Sequence, residues 1–146
     1  MKLKTNLKLT ADIVGLDLGQ ARTGVARINI IARIAEPLVP INMLAGDFLQ
    51  AVDQLVVELD ASAVVVGVPR NLEGMDTLQT KWSLELIGKL EANLSVPVFM
   101  IDEAGTTVEA EARASEQQSI DSVAACIIVE NFLDEVIGGR IPYVSV

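Results

Sequence analysis

The sequence predicts a mixed α/β domain: a five-stranded sheet whose first three strands are antiparallel, with helices on both faces. Three observations predict it. The chain has 146 residues, enough to bury a core without staples. It is 51% hydrophobic but only 3% aromatic, so Val, Ile, Leu and Ala must fill that core. Short β-branched runs alternate with longer segments of helical period, in the order β-β-β-α-β-α-β-α-α.

Each element has a local cause. Ile13 to Leu18 is a β-rich apolar run, Gly19 to Arg22 a turn, and Thr23 to Ile30 a second strand. In ARIAEPLVPI, Pro37 and Pro40 each remove an amide donor, which suits a third strand at a sheet edge. From Asp47 to Leu59, the residues Phe48, Val52, Leu55, Val56 and Leu59 recur at helical spacing. Ala63 to Val68 then forms a buried strand. A second helix is expected from near Asp76, with Gln79 completing a capping box, to about Asn93, followed by a strand from Val96 to Ile101. Thr106 and Glu109 have the same capping spacing and predict a third helix. After a polar gap at 116–119, a last helix carries Val123, Ile127, Ile128 and Phe132. The domain is expected to span 13–138, between an N-terminal extension 1–12 and a C-terminal tail 139–146.

Composition excludes several chemistries. There is no histidine, hence no Ser-His or Cys-His nucleophile and no histidine metal site. The single cysteine, Cys126, lies in an apolar run and reads as a core residue. Asp17 interrupts the first apolar run before it could serve as a secretory h-region, and no run is long enough to span a bilayer, so a cytoplasmic protein is expected. Net charge is -9, unevenly placed. Residues 1–89 hold nine of the eleven Lys and Arg and ten of the twenty acids, whereas 90–146 hold only Arg113 and Arg140 against the other ten acids. That acidic third disfavours phosphate-backbone binding through its own surface, but it is compatible with a metal site.

Three acids stand out. Strand alternation puts Asp17 between Gly15 and Gly19 on one face, leaving room for a cation or phosphate oxygens, although a structural Asp bonded to the turn fits the spacing equally well. Asp102 and Glu103 end a strand, at the edge where open α/β sheets place ligands, and only one of the two can face the side of Asp17. An acidic turn in solvent is the plainer reading of that pair. Asp121 opens the last helix, where the helix dipole alone would favour an acid. It shares a helix face with Ala124, Ala125 and Ile128, small enough at the alanines to let the helix approach the sheet.

These acids sit within motifs that resemble the YqgF/RuvX family of Holliday junction resolvases, small proteins of the ribonuclease H-like fold. LDLGQARTGVA resembles the family's opening hairpin in Asp17, Gly19, Arg22 and Gly24. VVVGVPRNLEG resembles its strand-loop motif in Gly67, Pro69, Asn71 and Gly74. IDEAGTTVEAEAR is similar to its acidic motif, and IDSVAACIIVENFLD to its last helix. The resemblance runs from about Ile13 to Asp134. It implies a catalytic and metal-binding triad of Asp17, Glu103 and Asp121 holding Mg²⁺ or Mn²⁺, with Gly19, Arg22, Arg70 and Asn71 as substrate-binding residues. It implies hydrolysis of structured nucleic acid, either a ribosomal RNA precursor or branched DNA, by a monomer or homodimer.

The motifs also depart from the family. Ala104 and Gly105 stand where the family has Arg and Leu, and the short SEQQS replaces a longer basic loop. Both losses weaken the expected grip on nucleic acid, and the segment 115–121 is expected to be a short ordered connection. A noncatalytic binding or assembly protein with an acidic protein-binding surface is therefore the alternative. GLDLG and TGVA also resemble the phosphate hairpin of actin-like ATPases and sugar kinases, but those proteins duplicate the fold and no second copy is present here.

Overall fold

The segment IVGLD, residues 13–17, is buried through its first four residues and forms the middle of a five-stranded sheet in the computed structural model. The structure describes residues 7–8, 11–69, 75–103, 120–138 and 144–145. In chain order the elements are β1 (Leu7–Lys8), β2 (Ile13–Asp17), β3 (Arg22–Ile28), β4 (Ala35–Asn42), α1 (Phe48–Leu59), β5 (Ala63–Pro69), α2 (Leu78–Asn93), β6 (Val98–Glu103), α3 (Ile120–Ile137) and β7 (Val144–Ser145). The main sheet has the order β4-β3-β2-β5-β6. The first three strands pair antiparallel, and β5 and β6 run parallel to β2. β1 and β7 make a separate two-stranded parallel pair.

Alternation along the strands divides the interior in two. Val14, Leu16, Val25, Val64, Val66 and Val68 pack with Val52 and Val56 of α1 and Ile87 and Leu90 of α2. On the opposite face Ile13, Ala26, Ile28, Val65, Phe99 and Ile101 pack with Ala125, Ile128, Val129 and Phe132 of α3. Residues 64–68 are an unbroken apolar run because β5 is covered on both faces. Phe99 and Phe132, two of the few aromatics, meet in a tilted pair with ring centroids 5.1 Å apart. As the prolines imply, β4 is an edge strand.

Several boundaries moved by one or two residues, and three of the shifts have a visible cause. β3 begins at Arg22 and ends at Ile28, because Asn29 caps the next turn by accepting from the amides of Ile31 and Ala32. The cap of α2 is Thr77 rather than Asp76, and its reciprocal partner is Thr80 rather than Gln79. Thr80 takes that role because its hydroxyl also donates to the Pro69 carbonyl, tying α2 to the end of β5. β6 starts at Val98, two residues later than Val96: the Pro97 carbonyl accepts from Val64, and pairing begins just beyond it at Val64 and Val98. Asp47 caps α1, accepting from the Gln50 amide at 3.3 Å. The helix expected from Thr106 and the segment 115–119 lie outside the described residues.

Candidate functional site

β2 delivers Asp17 to one end of the sheet. Val14, Leu16 and Leu18 belong to the interior beneath α1 and α2, and Ile13 to the interior beneath α3, so alternation carries Asp17 to the α3 side. Asp17 is half-buried, and its backbone is fixed by pairing with Gly24 of β3. Gly15, two residues earlier, brings the helix unusually near. A β-carbon there would collide with the Val129 side chain and stand 2.9 Å from the Ala125 carbonyl of α3. The small residues read from the sequence thus do produce a close approach between strand and helix.

β6 ends at the same edge. Leu16 pairs with Val66 and Gly67 pairs with Ile101, so one further step along β2 brings Asp17 level with Ile101 across β5. Phe99 and Ile101 face α3, and position 103 continues that alternation two residues beyond Ile101. Asp102 pairs with Val68, takes the opposite phase and is exposed. The side chains of Glu103 and Asp121 lie outside the described residues. Among the side chains that are described, no three acids gather into a metal-holding group.

The start of α3 is anchored beside these strand ends. The ladder between β3 and β4 shifts register between Thr23 and Val25, where Val39 and Pro40 together stand against Gly24. Ser122 fills this bulge. Its hydroxyl accepts from the Val25 amide at 3.3 Å and donates to the Leu38 carbonyl at 2.7 Å, while Val25 and Leu38 are themselves ladder partners. Position 121 is the residue before this anchor, four before Ala125 and seven before Ile128, both of which pack on the sheet. The helix therefore begins on the Asp17 side of the sheet, at the end where β2 and β6 finish.

Gly19 and Arg22 lie in the hairpin that follows Asp17. A β-carbon on Gly19 would run into the Arg22 carbonyl, so tightness of the turn accounts for this glycine without any ligand. Arg22 is exposed and, with Ala21, Pro40, Asn42 and Leu44, lines an open depression of about 490 Å³. Arg70 and Asn71 lie outside the described residues, but the chain enters them from Pro69, the ladder partner of Glu103. The donors that the motifs bring to this end are carboxylate oxygens in a chain without histidine, a set that fits a hard dication such as Mg²⁺ or Mn²⁺. The sequence pattern does not single out Ser122. A serine at the start of a helix reads as an ordinary capping residue, and the bulge it fills is made by strands distant in the chain.

Strand order, strand direction and the helix crossing beneath β2 define a ribonuclease H-like fold, and solved structures of low identity share it. The RuvC of Thermus thermophilus in complex with a Holliday junction substrate aligns with a TM-score of 0.59 at 14% identity, covering 88% of this chain and 96% of that one. The fowlpox virus Holliday junction resolvase aligns at 0.53 with 9% identity, covering 86% and 99%. The chain belongs to the RuvX family, described as Holliday junction resolvase, whose model matches residues 11–135. Among its relatives are proteins provisionally named pre-16S rRNA nucleases. That of Thermoanaerobacter pseudethanolicus is 32% identical over 133 residues, covering 84% of this chain and 95% of the relative. That of Chloroflexus aggregans is 37% identical over 131 residues, covering 84% and 92%. Among the described residues, no helix is long and apolar enough to cross a membrane.

Proposed function

We propose that this chain is a metal-dependent nuclease that hydrolyses phosphodiesters in structured nucleic acid, with Asp17, Glu103 and Asp121 as the ligands of Mg²⁺ or Mn²⁺. The observation that carries the reading is the shared end of the sheet: Asp17 closes β2, Glu103 closes β6, and position 121, in the first turn of α3, stands one residue before the Ser122 anchor. When bound, the metal activates a water and stabilises the leaving oxygen. Asp17 contributes a carboxylate on backbone fixed by its ladder with Gly24, so little ordering is left for the moment of binding. Arg22, exposed on the hairpin, meets a substrate phosphate and sets the register of the strand without reading its sequence. Arg70 and Asn71, which follow Pro69, the ladder partner of Glu103, are the further residues proposed to contact phosphate.

The relatives' names favour a precursor of 16S ribosomal RNA as substrate, and the family description favours branched DNA. A junction resolvase needs two cuts and hence a homodimer, whereas processing of an RNA end needs only a monomer. The test is cleavage of a four-way DNA junction and of a structured RNA precursor fragment with Mg²⁺ or Mn²⁺, comparing the wild type with Asp17→Asn. Metal-dependent cutting that disappears in Asp17→Asn is expected. The concentration of acids in residues 90–146 favours one other reading, a cytoplasmic binding or assembly protein that meets a basic partner. It replaces the first if neither substrate is bound or cut at low salt while a basic protein is retained by residues 109–135.

A further inference from the structure

Ser122 is 1% exposed, and its hydroxyl bridges two strands at once. A buried serine at the start of a helix ordinarily caps its own amides, but this one spends both bonds on the sheet. Its donor is Val25, whose other ladder partner is Leu16, the residue before Asp17. Its acceptor is Leu38, beside the bulge formed by Val39 and Pro40 against Gly24. Gly24 is in turn the partner of Asp17. The path from Ser122 to the Asp17 backbone therefore runs through two adjacent residues of one strand. On the helix side, Ser122 directly follows Asp121.

The structure assigns Ser122 as a positioning residue: it locks the first turn of α3 to the β3–β4 bulge and so fixes the spacing between Asp121 and Asp17. The assignment rests on the metal-site reading above. Two supports hold the helix against β2. The contact at Gly15 and Ala125 sets how near the helix lies, but close packing alone allows it to slide or turn about its axis. The Ser122 bridge acts through directional hydrogen bonds, one turn nearer the site, and removes that freedom. Ligand carboxylates on separate elements coordinate a small dication well only if their spacing is held, because Mg²⁺ demands near-ideal geometry. Groups that hold ligands in this way typically change metal affinity 10- to 100-fold when removed.

The experiment titrates Mn²⁺ alone into the full chain by calorimetry, with no nucleic acid, and follows Val25 amide exchange by NMR. Ser122→Ala is compared with the wild type and with Leu133→Ala, a buried site on the far half of the same helix. The expected result is faster Val25 exchange and a Mn²⁺ dissociation constant raised about 10-fold or more in Ser122→Ala. Leu133→Ala should lose stability but keep its Mn²⁺ affinity within about two-fold. Should Ser122→Ala fold poorly, Ser122→Cys, a weaker donor of similar size, reads the same two quantities. Wild-type Mn²⁺ affinity in Ser122→Ala despite faster Val25 exchange overturns the positioning role alone, as does unchanged Val25 exchange. A wild type that binds no Mn²⁺ overturns the metal site itself, and this role with it.

Discussion

Gly15 of β2 lies directly against Ala125 of α3, so closely that a β-carbon on Gly15 would sit 2.9 Å from the Ala125 carbonyl. Backbone stands on both sides of this contact, and neither side can rotate away. Gly15→Ala should therefore push the helix off the sheet and cost about 1–3 kcal/mol, as overpacking of a close-packed interior does. Urea denaturation measures it. A loss below about 0.5 kcal/mol would mean that the helix does not rest on β2 here.

Metal binding should appear in stability as well as in activity. A ligand that binds only the folded state stabilises it by about 2.7 kcal/mol at roughly 100 times its dissociation constant. Thermal unfolding with and without Mn²⁺ should show a rise in Tm for the wild type and little or none for Asp17→Asn. The amide keeps the shape of the carboxylate but gives up the charge that a hard cation needs. An equal rise in both proteins would place the cation elsewhere.

The proposed grip on a nucleic acid rests on three cations. Arg22 and Lys81 are exposed, Arg70 follows Pro69, and the acids are concentrated in the C-terminal third. With three phosphate contacts on duplex DNA, the slope of log affinity against log salt should be about -3. Binding measured by fluorescence anisotropy between low and moderate salt checks this. A slope steeper than about -6 would require a basic surface beyond these three residues.

The cap of α2 gives an ordering. Thr77 accepts from the Thr80 amide at 3.2 Å, and its loss in Thr77→Ala should cost about 1 kcal/mol. Thr80 is fully buried, accepts from the Thr77 amide at 2.9 Å and donates to the Pro69 carbonyl. Thr80→Val leaves both groups unmet in the interior and should cost more, about 2–3 kcal/mol. Chemical denaturation of the two variants decides the order, and the reverse order would contradict the tie between α2 and β5.

Much of this architecture is readable from local chemistry. Alternation along IVGLD puts Asp17 on one face with Ile13 and Gly15, the face over which the structure lays α3; the two prolines mark β4 as an edge, and alanines in the last helix signal its approach to the sheet. Where pattern fell short, a distant partner decided. Asp76 and Thr77 both have capping chemistry, and Thr77 prevails because Thr80 is held by Pro69, eleven residues upstream. The Ser122 bridge joins residues 97 and 84 positions apart through a register shift between two strands. No periodicity within one segment encodes such a contact.

The central claim is that Asp17, Glu103 and Asp121 hold one metal centre. A crystal structure grown with Mn²⁺ tests it most directly, because the ion identifies itself by anomalous scattering. The account predicts a peak at the end of β2 and β6 beside the start of α3, with carboxylate oxygens of all three residues in direct coordination and Asp102 turned away. A peak bound without Asp17, or Asp121 found away from the β2 end on the ordered start of α3, would contradict it.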